Sequence, residues 1–348
     1  MPKVLAIILN HNSKEYLVDC ISSVKNQSYP DVKILLVDNA STDGSVEVAK
    51  IFFPDIDVLI NESNIGLGNG FNVPLRKYVQ DFDFFVLMNS DVILQDNWCD
   101  ILVNYLEKNE NVWSVNGVVT VGDSDIIDNA GGQILNIFFG IFIGYLGNDS
   151  LSKMLSSKLS DPLRVFFSIC NSMIIRKVAL NKIGYFDPSY FMYFEDIDLS
   201  WRILLSGHEI HCCPGAISKH FGGSSKKGKI LALNLVGNTE RNLLATYYKN
   251  LNNLNLFYIF PILLLARFVG AILYVFIQPK VTVSKISGIL KFFKSFNYYK
   301  HERLKSQKLR VASDGEIFRS NPDKLVSIKK VFPYIFPWLG RIKQFVNE

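Results

Sequence analysis

The sequence predicts an α/β protein built on a doubly wound, mostly parallel sheet and followed by an apolar and basic helical region that associates with a membrane. Short apolar runs alternate with amphipathic helical stretches over the first 115 residues, which is typical of such sheets. Polar loops follow several of these runs, and an apolar run at 256–277 precedes a basic tail. With 348 residues, 49% of them hydrophobic, the chain can bury the core of a full-sized domain.

The chain begins with a predicted strand and an amphipathic helix. VLAIIL (4–9) has the length and composition of a buried strand. Apolar side chains then recur at helical spacing from Leu17 to Val24. Asn12 and Glu15 stand three residues apart just before this pattern, which predicts a capping box at the start of the helix.

Three more apolar runs predict the other strands of the first half. KILLV (33–37), VLI (58–60) and FFVLM (84–88) are separated by helical stretches, one of which is expected to carry Pro74 in its first turn. In such sheets, ligands bind at the carboxyl ends of the strands. The loops that follow the strands therefore predict a ligand site, and they are NHN (10–12), DNASTDG (38–44) and NSD (89–91).

The pattern is less regular beyond residue 115. VFFSICNSMIIR (165–176) and EIHCC (209–213) predict strands. DLSWRILLSG (198–207) predicts a helix that a terminal glycine closes, and PGAISKHFGGSS (214–225) predicts a loop.

The apolar run at 256–277 is long enough to span a bilayer. Residues 278–348 carry 15 Lys/Arg and 5 Asp/Glu, whereas the rest of the chain carries 22 and 27. Because basic residues flank the run on both sides, we expect a re-entrant or interfacial helical hairpin on the cytoplasmic side, with Pro261 and Gly270 as bends. VFPYIFPW (331–338) adds aromatic residues typical of the headgroup level. The alternative is a helix buried in a helical subdomain or a dimer interface.

Composition excludes several other classes of protein. The five cysteines form no CxxC pair, so neither a disulfide framework nor a zinc site is predicted, and we expect a cytoplasmic protein at the inner face of the cell membrane. The first apolar run is too short for a signal peptide. No nucleic-acid-binding signature accompanies the basic tail, and nucleic acid is not an expected partner.

Three side chains in the polar loops are suited to ligand chemistry. Asp38 follows a strand directly and can accept hydrogen bonds from a ribose or a base, although turn formation is the simpler role for such a residue. Asp91 ends NSD after a buried strand and is suited to Mg²⁺ or Mn²⁺, which prefer hard oxygen ligands. His220 can supply a further ligand because Mn²⁺ accepts imidazole, although a surface or capping role is the simpler interpretation.

The stretch FMYFEDID (191–198) places three carboxylates directly behind aromatic residues. Asp198 and Arg202 are four residues apart and are expected to form an ion pair on a helix. Glu195 or Asp196 then remains to face the cleft. An acid beside aromatic side chains and a second acid should have a raised pKa, which suits a general base.

These motifs, in this order and spacing, resemble the family-2 nucleotide-sugar glycosyltransferases with the GT-A fold, and most closely their rhamnosyltransferase-like branch. The resemblance covers roughly residues 3–250. It implies transfer of a sugar, with inversion, from a nucleoside diphosphate sugar to a glycan or lipid-linked acceptor, with Mn²⁺ or Mg²⁺ as cofactor. The stretches that carry it are AIILNHN, LVDNASTDGS, NESNIGLGNGFN, FVLMNSDVIL, IGYFDPSYFMYFEDIDLSWRILLSGHEI and PGAISKHFGGSS.

The resemblance also implies a role for each matching residue. Asp91 and His220 would be the metal ligands, and Asp196 would be the acceptor-activating base with Glu195 beside it. This sequence departs from the usual DxD motif, because Asn89 stands where the first acid is expected, so metal affinity without donor is expected to be weak. The donor-binding residues would be Asn10, Asp38, Asn64, Gly66 and Asn89.

The implied domains follow the same division. We expect a GT-A domain at 1–250, with a nucleotide-sugar-binding half at 1–115 and an acceptor and catalytic half at 116–250, and a helical, membrane-associating region at 251–348. Two alternatives from other classes are a metal-dependent nucleotidyltransferase and a non-catalytic nucleotide-binding protein at the membrane. The nucleotidyltransferase would not require the FMYFEDID and HFGGSS elements.

Overall fold

The structure is a computed structural model of the chain. It describes residues 1–136, 141–144, 147–156, 161–222, 229–276 and 278–319. The basic tail beyond residue 319, which includes the aromatic segment 331–338, and parts of the apolar segment 133–147 and of the HFGGSS loop lie outside the described residues.

The first half alternates strands and helices as the apolar pattern predicts. The strands are β1 (Val4–Asn10), β2 (Val32–Asp38), β3 (Asp57–Ile60), β4 (Phe84–Asn89) and the short β5 (Val92–Leu94). The helices are α1 (Lys14–Lys25), α2 (Ser45–Phe52), α3 (Leu67–Tyr78) and α4 (Trp98–Lys108).

The second half mixes strands and helices as far as residue 220, and the part that the structure describes beyond it is helical. The strands are β6 (Val112–Val121), β7 (Ile127–Asn129), β8 (Gly132–Asn136), β9 (Ile141–Gly144), β10 (Leu163–Arg164), β11 (Ser172–Arg176) and β12 (Glu209–His220). The helices are α5 (Leu151–Leu155), α6 (Lys177–Ile183), α7 (Glu195–Leu205), α8 (Lys229–Asn250), α9 (Asn253–Leu273), α10 (Pro279–Lys294), α11 (Phe296–Lys308) and α12 (Asp314–Arg319).

The main sheet has two parts with different pairing. The strands β3, β2, β1 and β4 lie side by side and are parallel. Beyond β4 the sheet is mixed, because β11 is antiparallel to both β4 and β6, and β12 is parallel to β6. The predicted α/β fold is confirmed, and its parallel part is the half that carries the polar loops.

Helices cover both faces of the sheet. Alternate residues of β1 enter two separate cores, with Val4 and Ile8 on one face and Leu5 and Ile7 on the other, as expected for a strand buried on both sides. The first core contains residues of α1 and α4. The second contains residues of α3, α7 and α8, and it continues into α9, α10 and α11.

Two predicted details of the first half are wrong. Asn12 does not form a capping box, because its backbone has a positive φ of 53° and its Oδ1 accepts a hydrogen bond from Thr42 N at 2.8 Å. Pro74 is not in a first turn, because α3 begins seven residues earlier at Leu67, whose N–H donates to Phe191 O at 2.9 Å. In both cases, a contact with a distant segment overrides the local signal.

The strands of the second half also differ from their predicted lengths. Only Ser172–Arg176 of the 165–176 stretch is a strand, since the segment before it leaves the sheet and Ser168 N donates to Ser200 Oγ on α7. Conversely, the predicted loop at 214–220 belongs to β12. The pairing of this strand with β6 changes register around Pro214. Beyond that point the strand pairs with both β5 and β6, and it continues to His220.

The C-terminal helices form a hairpin, but at a different place from the one predicted. Neither Pro261 nor Gly270 interrupts α9. The chain reverses after a short 3₁₀ turn at Tyr274–Phe276, and Thr282 Oγ1 of α10 donates to Ala271 O of α9 at 2.9 Å. Among the described residues, Asn253–Phe276 is the one helical segment long and apolar enough to cross a membrane, and an 18-residue window of it has a mean hydropathy of 2.3.

Candidate active site

Three polar residues end neighbouring parallel strands. Asn10 closes β1, Asp38 closes β2 and Asn89 closes β4. In the sheet register, Asn10 lies opposite Asp38, and Asn89 lies opposite Leu9. The loops that the sequence singled out therefore meet at one edge of the sheet.

Asn10 and Asp38 form a buried hydrogen-bonded group. Asp38 Oδ1 accepts from Asn10 Nδ2 at 2.8 Å and from Ser41 Oγ at 2.6 Å, while its Oδ2 accepts from Ser41 N at 2.8 Å. Asn10 Nδ2 also donates to Ser45 Oγ at 2.8 Å, at the start of α2. Both side chains are fully or almost fully buried, and they shape the DNASTDG loop in this structure. Their predicted contacts with a donor stay predictions.

The glycine-rich loop is tied to the DNASTDG loop and to the acidic segment. Asn64 Oδ1 accepts from Gly66 N at 3.0 Å, and Gly66 O accepts from Asn39 Nδ2 at 3.1 Å. Gly66 has a φ of 86°, and a Cβ at this position would lie 2.3 Å from Phe191 O. Only glycine permits so close an approach of two backbones, and the approach brings FMYFEDID against the loop predicted to hold the nucleotide.

Asp91 and His220 are 129 positions apart in the sequence and face each other in the fold. The antiparallel pairing of β5 with β12 places His220 opposite Val92, the residue after Asp91. His220 Nε2 lies 3.5 Å from Asp91 Oδ2, and Phe221 N donates to Asp91 O at 3.0 Å. The structure thus brings together the two residues predicted as metal ligands.

Asp128 is a third member of this group that the sequence reasoning missed. Its Oδ2 lies 3.2 Å from His220 Nδ1 and accepts a hydrogen bond from Asn129 Nδ2 at 3.1 Å. Because a carboxylate is an acceptor, this contact favours a proton on Nδ1 and leaves Nε2 toward Asp91. Burial alone would lower the pKa of His220, but the contacts with Asp128 and Asp91 outweigh it and raise the pKa to about 9.

The chemistry of this donor set fits a divalent ion. A carboxylate and an imidazole converge, and a second carboxylate orients the ring, which is a common arrangement around a metal-bound histidine. Within the described ranges, no group of three or more His, Cys, Asp or Glu is arranged to hold a metal ion. Asp91 and His220 stay the two predicted metal ligands.

The carboxylates of FMYFEDID lie at the N-terminus of α7. Glu195 is the first residue of the helix, and the two residues before it, Tyr193 and Phe194, both have positive φ values of 67° and 72°. The positive end of the helix dipole stabilises negative charge at this position. The position of these carboxylates at the N-terminus of α7 therefore explains how the fold tolerates three of them within four residues.

Glu195 and Asp196 have raised pKa values. Burial, with a smaller effect from Asp196, raises the pKa of Glu195 to about 8, and one of its carboxyl oxygens, Oε2, has no hydrogen-bond partner. Burial also raises the pKa of Asp196 to about 6. Both carboxyl groups therefore bind a proton more strongly than exposed acids do, and the two titrate as a pair. Asp196 is also the more exposed of the two, as expected for the group that meets a substrate.

Asp198 belongs to a different group of charges behind α7. Arg202 Nε donates to Asp198 Oδ2 at 3.1 Å, which confirms the predicted ion pair. Lys249 Nζ from α8 lies 2.9 Å from Asp198 Oδ1 and 2.5 Å from Asp187 Oδ2. These side chains are all buried, so the cluster ties α7 to α8 inside the protein.

One backbone loop lies close to both the end of β4 and the acid pair. Asn171 O accepts from Asn89 N at 3.1 Å, and the backbone of Cys170, the preceding residue, lies close enough to the Asp196 carboxylate to lower its pKa. The two groups of side chains therefore lie at the same edge of the sheet.

A comparison with protein-family models matches residues 5–196, more than half of the chain, to "Glycosyl transferase family 2". The chain is a member of glycosyltransferase family 2. The resemblance stated from the motifs is thereby confirmed.

Curated relatives of this family-2 chain are similar over part of their length. An uncharacterized glycosyltransferase of Haemophilus influenzae is 28% identical over 34% of this chain and 38% of its own length. The poly-beta-1,6-N-acetyl-D-glucosamine synthase of Staphylococcus epidermidis is 24% identical over 60% and 47%. The N-acetylglucosaminyl-diphospho-decaprenol L-rhamnosyltransferase of Mycobacterium tuberculosis is 24% identical over 60% and 72%. The chain thus spans less than half the length of the first two relatives.

Two solved structures share the fold. TarS 1-349 of S. aureus in complex with UDP aligns over 91% of this chain and 90% of that one, with a TM-score of 0.52 and 14% identity. GalNAc-T7 with UDP, GalNAc and Mn²⁺ aligns over 72% of this chain and 48% of that one, with a TM-score of 0.55 and 17% identity. Both support the GT-A fold that the family resemblance implies.

Asp128 carried no usable signal in the sequence of this family-2 enzyme. It lies in DIIDNAGG, on a short strand of a segment to which no motif was assigned. It becomes recognisable only because β7 pairs with β6, which runs beside the end of β12 that carries His220.

Proposed function

We propose that the chain transfers a sugar, with inversion, from a nucleoside diphosphate sugar to a hydroxyl group of a glycan or lipid-linked acceptor. The observation that carries this proposal is the convergence of Asp91 and His220 beside the acid pair Glu195 and Asp196. The first pair is suited to a divalent ion, and the second is suited to accepting a proton.

The donor is held by the loops at the strand ends. Asn10, Asp38, Asn64, Gly66 and Asn89 form this side of the site. A cavity of about 530 Å³ lies between the start of α1 and the loop before α2, and Tyr16 lines it. The Tyr16 ring stacks on Phe221, next to His220, with centroids 5.3 Å apart. The cavity lies beside the predicted donor loops, and none of the five predicted donor-binding residues lines it.

Asp91 and His220 would hold Mn²⁺ or Mg²⁺, with Asp128 orienting the imidazole. An ion held there would supply electrostatic stabilisation of the negative charge on the departing diphosphate. His220 must lose a proton from Nε2 before it can act as a ligand. Because Asn89 replaces an acid, the donor diphosphate itself supplies much of the negative charge at this site.

Asp196 accepts the proton of the acceptor hydroxyl as this oxygen attacks the anomeric carbon from the face opposite the diphosphate. One displacement of this kind inverts the configuration and requires no covalent intermediate on the protein. Glu195, whose pKa is the more strongly raised, keeps its proton and limits repulsion within the pair. It thereby allows Asp196 to remain ionised near neutral pH.

The acceptor is a lipid-linked glycan, and rhamnose is a candidate sugar. Support comes from the names of relatives, which include the decaprenol-linked rhamnosyltransferase of M. tuberculosis and the rhamnosyltransferase WbbL of Escherichia coli, 24% identical over 63% of this chain. The segment 116–165 contributes to the acceptor side.

The enzyme lies on the cytoplasmic face of a membrane through α9 and α10. Support comes from apolar side chains that these helices and the turn between them leave in contact with solvent, including Phe276 at 89% and Phe257 at 72% exposure. Arg267 lies within α9, but it pairs with Glu240 of α8, at 2.7 Å for Nε to Oε2, so its charge faces the protein. The helices α10 and α11, which come after the apolar helix α9 in the sequence, carry lysines that suit anionic headgroups.

The test of the activity is product formation with a panel of nucleoside diphosphate sugars, a lipid-diphosphate-linked acceptor and Mn²⁺. Asp91→Ala is compared with Asp57→Ala. Asp57 is a suitable control because it pairs with Lys33 at the surface, on the edge strand β3. We expect an inverted glycoside product with the wild type and with Asp57→Ala, and loss of product with Asp91→Ala or a chelator. Release of pyrophosphate from a nucleoside triphosphate instead would identify a nucleotidyltransferase, and binding without turnover a non-catalytic protein.

The test of the location is flotation with vesicles that contain anionic lipid. Phe276→Ser with Phe257→Ser should reduce the bound fraction, because both side chains leave water on binding. Phe52→Ser is the matched control, since Phe52 is also an exposed aromatic residue, at 63%, but lies on α2. Equal flotation of all variants would contradict the location, and it would leave the proposed transfer reaction untouched.

A further inference from the structure

The backbone before α7 has an unfavourable conformation. Tyr193 and Phe194 are consecutive residues with φ values of 67° and 72°. Residues with a Cβ rarely adopt this left-handed region, and adjacent examples persist only where the surroundings hold them. The turn directly precedes Glu195 and Asp196, so its shape sets the direction in which both carboxylates point.

One buried side chain of α8 holds this turn. Asn242 Nδ2 donates to Tyr193 O at 2.8 Å and to Met192 O at 3.1 Å. Its Oδ1 accepts from Arg241 Nε at 3.0 Å, and Arg241 Nη2 donates to Ser189 O at 2.7 Å. Asn242 is fully buried, and its donor and acceptor groups are all engaged.

The opposite side of the turn is held by the glycine-rich loop. Phe191 O accepts from Leu67 N at 2.9 Å, and Gly66 lies against the same carbonyl group. The segment is therefore clamped between the loop predicted to bind the donor and a helix that lies beyond the residues matched to the family, which end at 196.

We propose that Asn242 is a positioning residue for catalysis, because its two hydrogen bonds to the backbone of Met192 and Tyr193 hold Glu195 and Asp196 in the orientation that the reaction needs. The inference rests on the proposed function of this pair. It assigns Asn242 no contact with substrate. It adds a specific requirement for α8, which the motifs of the first 220 residues do not reveal.

Asn242→Leu is the variant that tests this role, because leucine has a similar size and cannot donate to either carbonyl group. We expect kcat to fall about 10- to 100-fold, the range caused by a misplacement of about 1 Å. The affinity for the donor, measured by calorimetry with Mn²⁺, should stay within about twofold, since the donor loops are unchanged. The control is Thr239→Ala on the same helix, where the lost hydroxyl bonds only to Leu235 O of that helix, and kcat should be retained.

The outcomes separate this inference from the proposed function. Normal kcat in Asn242→Leu, with an active wild type, overturns the positioning role and leaves the function standing. Parallel loss of donor affinity, kcat and thermal stability also overturns it, because a general structural role would have that result. No transfer by the wild type would overturn both. If Asn242→Leu does not fold, Asn242→Ser, whose hydroxyl cannot reach both carbonyl groups, is measured in the same way.

Discussion

Two groups of acidic side chains at the same edge of the sheet have opposite electrostatic environments. Asp91 and Asp128 flank His220, and their contacts raise the pKa of this imidazole to about 9. Glu195 is buried and Asp196 beside it is partly buried, and burial is the largest cause of their raised pKa values. The comparison shows two effects of acidic side chains in one fold, because carboxylates beside a histidine favour the proton on the ring, and burial favours the proton on the carboxyl group itself.

The largest expected effect is on the buried pair. Asp196→Asn removes the proposed base, and turnover should fall on the order of 10²- to 10⁴-fold while donor binding is kept. Steady-state kinetics and calorimetry measure the two quantities. Glu195→Gln is the companion variant, because it resembles the protonated state and should be less damaging. The reverse ranking would exchange the two roles, and full activity in both variants would remove the pair from the mechanism.

The next effect concerns the group around His220. Asp91→Ala removes a predicted metal ligand, and Mn²⁺-dependent donor binding should weaken more than about 100-fold, beyond the usual effect of losing an outer-shell partner. Asp57→Ala should bind the donor as the wild type does. Calorimetric titration with a nucleoside diphosphate and Mn²⁺ provides the measurement, and unchanged affinity would show that Asp91 lies outside the site.

A smaller effect is expected from Asp128. Asp128→Ala leaves both predicted metal ligands in place but removes the acceptor of the Nδ1 proton of His220. The affinity for Mn²⁺ with donor should fall about 10- to 100-fold. Asp125→Ala is a nearby control, because its carboxylate bonds to Ser150 and Ser152 at the surface. An equal loss in both variants would indicate a disturbed segment and contradict an orienting role.

The smallest effect is a shift of the pH profile. The base must be ionised, and burial raises the pKa of Asp196 to about 6. Turnover limited by this group should therefore be constant above that pH and fall about tenfold for each unit below it. Kinetics with saturating donor over a range of pH measure this fall in turnover at low pH. The residual activity of Asp196→Asn should not show the fall. A wild-type fall near pH 4, the range of an exposed carboxyl, would contradict the buried environment.

The sequence predicted most of the candidate site because its residues lie in short polar loops after apolar strands. In parallel strands, these loops meet at one edge whatever the details of packing, so Asn10, Asp38 and Asn89 converge as expected. The pairing of Asp198 with Arg202 was predictable for a similar reason, since it depends only on helical spacing.

Other details depended on contacts between distant segments. The buried position of Asp38 follows from its bonds to Asn10 and Ser41. The start of α3 follows from a bond between Leu67 and Phe191, which displaced Pro74 from the first turn. Such contacts have no local pattern, because either partner alone is compatible with several conformations.

The sequence by itself determined the fold class, the family resemblance and the residue types of the site, because alternating apolar runs and closely spaced motifs are local properties of a chain. Only the tertiary structure placed Asp128 beside His220 and Asn242 beneath the turn before Glu195. Those positions arise from the register of β7 and β12 and from the packing of α8 on α7, which are decided by the fit of whole surfaces. The residues at the sheet edge can therefore be predicted from the sequence, and the side chains that orient the proposed catalytic groups cannot.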